Sequence, residues 1–156
     1  MDWTDWTPQM RANLMFVKNG DQVLLIRKKR GLGAGKINGP GGKIEPGESA
    51  RDGAIRETQE EVGITALDPV AMGELHFQFT DGLGIHVTVF VATRFEGEAI
   101  ETDEAIPLWT PADAIPLDEM WEDDRYWLPQ MLGGERFEGF FEFDGDKMLS
   151  RKVRFL

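Results

Sequence analysis

The segment Gly42–Ile64 reads GKIEPGESARDGAIRETQEEVGI, and it moves from a glycine-punctuated loop into a short helix. Ser49, with Asp52 three residues on, forms a weak capping box. The helix is expected from Ala50 to Val62, and Gly63 is a natural C′ stop because glycine enters the left-handed region freely. Glu57, Glu60 and Glu61 lie on this helix. At about 100° per residue they fall within roughly a quarter of its circumference. Ala54, Ile55, Thr58 and Val62 cluster on a neighbouring face suited to packing on a sheet, so the carboxylates sit at the edge of the packed face and project into a cleft. Arg56 points away from Thr58 and braces either Glu48 or a backbone carbonyl. Like charges at i,i+4 cost a few tenths of a kcal/mol, and no lysine relieves the Glu57–Glu61 pair. Two explanations stand: an ordinary acidic solvent face, or a hard divalent cation that takes oxygen ligands and bridges to phosphate.

Working outward, Gly31–Gly42 (GLGAGKINGPGG) holds six glycines and one proline and is expected to be a loop offering close backbone approach to a ligand. Before it, Arg11–Val17 and Gln22–Arg27 are strand-like, with Asn19-Gly20 as a hairpin turn. After the helix, Glu74–Phe79 and His86–Phe95 are expected strands joined through Asp81-Gly82, and Leu108–Trp109 begins another. Trp121–Leu132 suggests a second helix that Pro129 makes irregular or late-starting. Arg136–Phe143 and Lys147–Phe155 close the chain as a hairpin around Asp144-Gly145. Many strands with one strong and one weak helix indicate an α+β or layered α/β/α domain.

The 156 residues fit one domain, 1–156, long enough to bury a core. No apolar run approaches the roughly 20 residues that span a bilayer. The opening MDWTDWTPQM lacks the apolar region of a signal peptide. The absence of cysteine excludes disulfides and zinc–thiolate sites and fits an intracellular, cytoplasmic protein. A net charge of −11 excludes a broad basic surface for a nucleic-acid polymer. Local positive charge exists in the run Arg27–Arg30, and Lys36 and Lys43 follow in the glycine-rich region; Lys29 and Arg30 also suit a plain solvated strand end.

Read from Gly42, the spacing is five residues to Glu48, seven to Arg56-Glu57, two to Glu60-Glu61 and one to Gly63-Ile64. This resembles the Nudix box, with Thr58 where Leu, Ile or Val is usual. Beyond the box, KKRGLGAGKINGPGGK (Lys28–Lys43), TDEAIPLW (Thr102–Trp109), MWEDDRYWLP (Met120–Pro129) and FEGFFEF (Phe137–Phe143) look like the MutT-related oxidised-purine nucleoside triphosphate hydrolases of mammalian type. The resemblance implies the Nudix α/β/α sandwich with a mixed curved sheet. It implies Mg²⁺-dependent hydrolysis (Mn²⁺ being a possible substitute) of modified purine triphosphates such as 8-oxo-dGTP and 2-hydroxy-dATP to monophosphate and pyrophosphate, by a monomer. It assigns the metal to Glu57, Glu60, Glu61, the Gly41 carbonyl and Glu104, and the activation of water to Glu61 first and Glu57 second.

The base pocket has its own physical argument. Trp121 offers a flat face for a purine. Asp123 and Asp124 are adjacent, and two carboxyls in a partly buried pocket cannot both ionise freely, so one stays protonated. The bland alternative is a helix N-cap. By resemblance the pair recognises the base edge, Asn38 contacts it from the glycine loop, and Asn13 and Lys28 line the site. Gly42 and Lys43 complete the expected substrate contacts. Phe77 and Phe79 either wall the pocket or pack in the core. His76 and His86 suit surface or satisfied strand positions, and Trp3 and Trp6 suit cover for a sheet edge or a partner surface. Leu32, Pro40, Asn13 and Glu122 depart from the mammalian-type pattern around the base. They leave a second possibility, a Nudix hydrolase of a dinucleoside polyphosphate or sugar nucleotide. A non-catalytic nucleotide sensor is a third, opposed by the full set of box glutamates.

Overall fold

A computed structural model describes residues 1–156. Strands β1 (Met10–Asn19) and β2 (Gln22–Lys28) form the expected hairpin, and Gly20 turns it with a φ of 62°. The glycine-rich stretch is not wholly loop: it contains two short strands, β3 (Ile37–Asn38) and β4 (Gly41–Lys43). They escape a sequence pattern because glycine has no side chain to alternate. Strand β4 lies antiparallel to the first half of β1, with Gly41 opposite Leu14 and Gly42 opposite Asn13. The approach is so close that a Cβ on Gly41 would stand 2.1 Å from the Asn13 carbonyl oxygen.

Helix α1 (Ala50–Val62) has the expected bounds. The Asp52 N–H donates to Ser49 Oγ at 3.0 Å, and Gly63 closes the helix in the left-handed region at φ 77°. Then come β5 (Thr65–Leu67), β6 (Val70–Phe79), β7 (Gly84–Ala92), β8 (Arg94–Glu96) and β9 (Ala105–Pro111). The run expected as one strand, His86–Phe95, is thus divided between β7 and β8, because β8 leaves the main sheet to pair with β5. The second helix does start late: α2 spans only Leu128–Leu132, with Pro129 in its first turn, after a 3-10 turn at Asp124–Tyr126. The chain closes with the hairpin of β10 (Phe137–Asp144) and β11 (Lys147–Phe155).

The main sheet runs β11-β10-β6-β7-β1-β2-β3, with β4 added to β1 and β9 to β2. Strand β1 is parallel to β7, and β6 to β10; the other pairings are antiparallel, so the sheet is mixed. Alternate residues of β1 serve two cores. Met15 and Val17 pack with Leu24, Ile26, Ala54 and Val62 beneath α1. Phe16 packs on the other side with Trp127, Leu128 and Phe137. The result is the expected α+β architecture, an α/β/α sandwich with helices on both faces of a curved mixed sheet. Phe16 is fully buried, and truncating such a residue to Ala costs about 3–5 kcal/mol.

Trp3 and Trp6 cover a face of the sheet rather than its edge. Trp6 Nε1 donates to Gln78 Oε1 at 2.8 Å, and Trp3 leans on Phe140 with ring centroids 5.4 Å apart. His76 stacks on Phe140 at 4.3 Å beneath them. Its Nδ1 lies 2.9 Å from the Gly139 carbonyl, while His86 Nε2 lies 3.2 Å from Glu74, so both histidines are satisfied strand residues. No helix is long and apolar enough to cross a membrane.

Candidate active site

Helix α1 brings Glu57 and Glu61 to one side, where the loop before β9 delivers Glu104. One carboxylate oxygen from each lies within 4.8 Å of the others. Glu60 is not drawn into this group. It is about 60° further round the helix from Glu57, its side chain is 53% exposed, and Arg56 holds it at 3.1 Å. Arg56 takes the bracing role: Nε and Nη2 donate to the two oxygens of Glu48 at 2.7 and 3.0 Å, and Nη1 reaches Glu57 at 3.1 Å. An arginine therefore partly relieves the carboxylate repulsion. Thr58 is fully buried, and its hydroxyl donates to the Ala54 carbonyl at 2.8 Å, so this departure from an aliphatic residue leaves no unpaired polar atom.

Glu61 is 3% exposed, and burial, reinforced by the charges of Glu57 and Glu104, pushes its carboxyl up to about 8 even though the Gly41 N–H donates to it at 3.0 Å. Burial also raises Glu57, against the opposing pull of Arg56. Carboxylates crowded this closely, with ionisation disfavoured, form an all-oxygen donor set that fits a hard divalent cation. Glu61 is further tied by Thr102, whose hydroxyl donates to its backbone carbonyl at 2.7 Å.

Gly41 and Gly42 are the hinge point of the whole arrangement. Gly42 packs so tightly on Glu57 that a Cβ there would meet its carboxyl carbon at 2.8 Å. On their other side the same two glycines line a cavity of about 220 Å³. Its walls are mostly apolar: Leu14 from β1, Phe77 and Phe79 from β6, Ile85 and Val87 from β7, and Phe143 from β10. Phe77 and Phe79 serve both expected alternatives, since they line the cavity and also pack against Phe141 and Phe143. Ile85, Val87 and Phe143 read in the sequence only as core alternation, so nothing local marked them as cavity walls.

Asn13, Lys28, Asn38, Lys43, Trp121, Asp123 and Asp124, dispersed over 112 positions of the chain, all border this cavity. Asn13 is buried, and its Oδ1 accepts from the Gly42 N–H at 3.3 Å, while its Nδ2 has no partner. Lys28 Nζ donates to the Leu32 carbonyl at 2.9 Å, and Asn38 Oδ1 accepts from the Gly39 N–H at 2.8 Å. Trp121 is fixed edge-on to Phe79 and Phe143.

Asp123 and Asp124 are 1% and 3% exposed. The N-cap explanation fails: Asp123 precedes the 3-10 turn but its side chain caps nothing. Instead Trp127 Nε1, four residues on and fully buried, donates to Asp123 Oδ2 at 2.9 Å. That anchor was written in the sequence as Trp127 following Asp123 at i+4, a spacing the pocket argument had not used. Asp123 Oδ1 and Asp124 Oδ2 find no donor. Burial lifts Asp123 to about 6 and, with the neighbouring Asp123 charge added, lifts Asp124 well above the usual carboxylate range. The pair therefore offers a proton donor and an acceptor side by side.

Comparison with known proteins agrees with this geometry. Residues 8–131 match the NUDIX domain. An oxidized purine nucleoside triphosphate hydrolase of Danio rerio is 42% identical over 139 residues, covering 87% of this chain and 88% of its own. The Mus musculus protein of the same name is 40% identical over 143 residues, covering 90% and 92%. Among solved structures, the MutT mutator protein of Bacillus halodurans superposes with a TM-score of 0.82 at 32% identity, over 92% of this chain and 97% of that one. With its box, its sheet and its flanking cavity all in register, the chain belongs to the NUDIX family.

Proposed function

We propose that this chain hydrolyses modified purine nucleoside triphosphates, such as 8-oxo-dGTP and 2-hydroxy-dATP, to monophosphate and pyrophosphate, and so cleanses the nucleotide pool. One observation carries the proposal. The Gly41–Gly42 backbone is a common wall, with an apolar, acid-tipped cavity on one side and the Glu57/Glu61/Glu104 cluster on the other. A purine seated between Trp121 and the Asp123-Asp124 pair would direct its phosphates past this wall. Lys28 and Lys43 border the cavity and oppose the chain's negative charge there.

Glu57, Glu61 and Glu104 would hold Mg²⁺, with Mn²⁺ as a substitute; the family resemblance adds Glu60 and the Gly41 carbonyl, although Glu60 here is paired with Arg56. The bound cation would neutralise phosphate charge and acidify water. Glu61 accepts the proton of the attacking water, a general-base role suited to a buried carboxylate fixed beside the site where the cation would sit. Arg56 and Glu48 keep the helix face in place, and the Gly41 N–H aims the Glu61 carboxylate. All these groups come from one chain, which supports a monomer as the working unit, and the reaction suits the cytoplasm, where free nucleotides are found.

The test is release of pyrophosphate from 8-oxo-dGTP and from dGTP with Mg²⁺. A clear preference for 8-oxo-dGTP is expected. If neither it nor any other modified purine were preferred over its normal counterpart, the sanitising role would fail. Leu32 stands 52% exposed at the rim, so dinucleoside polyphosphates and sugar nucleotides belong in the same panel, and faster turnover of either would replace the proposal.

A further inference from the structure

Trp121 is held from outside the cavity by parts of the chain that the base-binding argument does not use. The segment Gly31–Gly35 crosses it as a strap. Gly33 sits so close that a Cβ would stand 2.9 Å from Trp121 Nε1, and Gly33 is itself at φ 80°, so only glycine suits the crossing. The strap is tied at its base: Arg27 Nη1 donates to the Gly35 carbonyl at 2.9 Å and Lys28 Nζ to the Leu32 carbonyl at 2.9 Å. Just past it, Lys36 places Nζ 5.3 Å from the centre of the Trp121 ring and 3.5 Å from Asp146 Oδ2, in the turn between β10 and β11. The same hairpin is also held next to Trp121 in the sequence, where the Met148 N–H donates to Glu122 Oε1 at 3.3 Å. Glu122 is one of the positions where the chain departs from the mammalian-type pattern, and the hairpin lies beyond the residues matched to the NUDIX domain.

Neither Lys36 nor Asp146 lines the cavity, whereas Trp121 and Leu32 do. We infer that Lys36 and Asp146 form a latch that holds the strap against Trp121 and sets how tightly the cavity grips a purine. They are positioning residues: Lys36 contacts Trp121 and Asp146, Asp146 acts through Lys36, and neither lines the cavity. The inference rests on the proposed seating of the base against Trp121. A cation over an indole face at an exposed site is a weak attraction, and an exposed ion pair adds little more, so the latch tunes binding and leaves the chemical step alone. Because Arg27, Lys28 and the main-chain bonds of Gly35 and Lys36 still hold the strap at its base, breaking the latch loosens its contact with Trp121 without releasing it.

The experiment is a set of kinetic constants for 8-oxo-dGTP and dGTP. Lys36→Met should raise KM for 8-oxo-dGTP about two- to fivefold with kcat little changed, the size of an exposed cation–π contact. Lys36→Arg should keep the wild-type KM, since guanidinium preserves both contacts. Asp146→Asn should raise KM more weakly, and its difference from wild type should vanish in about 0.5 M salt, where exposed pairs are screened. The double variant Lys36→Met/Asp146→Asn should behave as Lys36→Met alone, because the two act through one contact. An unchanged KM in Lys36→Met, a loss confined to kcat, or strictly additive effects would overturn the latch. Trp121→Leu separates this from the base-seating proposal. If it leaves the discrimination between the two nucleotides intact, the seating is wrong; if it abolishes discrimination while Lys36→Met does nothing, only the latch is wrong.

Discussion

Glu61 and Asp124 are both carboxyls driven into the interior, and for both the largest influence on ionisation is burial. Their surroundings diverge from there. Glu61 has a backbone N–H aimed at it, two further carboxylates within reach and a partly open approach, since the Glu104 side chain is 39% exposed. Asp124 has one carboxyl neighbour, an apolar cavity in front and no donor for its outer oxygen. The first setting is relieved by bringing in positive charge. The second is relieved by keeping a proton. One functional group, the carboxyl, thus takes two settings on either side of the Gly41–Gly42 wall, and the proposed division into a hydrolytic centre and a base-recognition edge follows from environment.

The largest way to test this division is at the trio. Glu61→Gln should lower kcat by about 10²–10⁴-fold, the usual cost of losing a general base, with KM nearly unchanged; undiminished turnover would remove Glu61 from the mechanism. Chelation should abolish activity reversibly, and Glu104→Gln should raise the Mg²⁺ concentration for half-maximal rate about 10–100-fold, as read from a metal titration. At the pair the effect should be on choice rather than rate. Asp123→Asn should alter the ratio of kcat/KM between two modified purines about tenfold to a hundredfold, the cost of one mismatched buried hydrogen bond. An equal loss for all purines would erase the contrast between the two regions.

The effect furthest from the reaction is on stability. Asp123 has its pKa raised in the fold, from 3.8 to about 6, so the native state holds a proton that the unfolded chain has released. Its stabilising contribution is complete below pH 3.8 and is lost as pH rises through about 6, at about 1.4 kcal/mol per pH unit for one proton. Glu61 follows the same sign over a window from 4.5 to about 8. Denaturation without cation should therefore show stability falling from pH 4 to pH 8. Added Mg²⁺ should restore the share carried by Glu57 and Glu61, and Asp123→Asn should reduce the share carried by the Asp123–Asp124 pair. Restoration of the whole curve by Mg²⁺ would mean that the two regions are not independent.

The parts of this arrangement differ in how openly the sequence carries them. Helix α1 was legible from end to end because Ser49, the carboxylate face and Gly63 are all local signals. The departure of Glu60 from the trio was not, since it depends on where Arg56 reaches and which way the helix edge faces. Strands β3 and β4 were hidden by their glycines, which show no alternation. Glu104 came only through family resemblance, because 43 residues separate it from Glu61 and nothing local links them. The cavity walls were least visible: Ile85 and Val87 look identical to core residues until the sheet order brings them to the same cavity as Phe143, which Trp121 also lines.

The wall of Gly41 and Gly42 has one more consequence. On the proposed seating it sets the spacing between base and carboxylates with main chain, which carries no side chain for a substitution elsewhere in the cavity to replace. On the proposed seating, Leu32 at the rim can change beside the purine without touching Glu57, Glu61 or Glu104. The two glycines work as a gauge block: the nucleobase accepted can drift over generations while the bond that is cut stays the same.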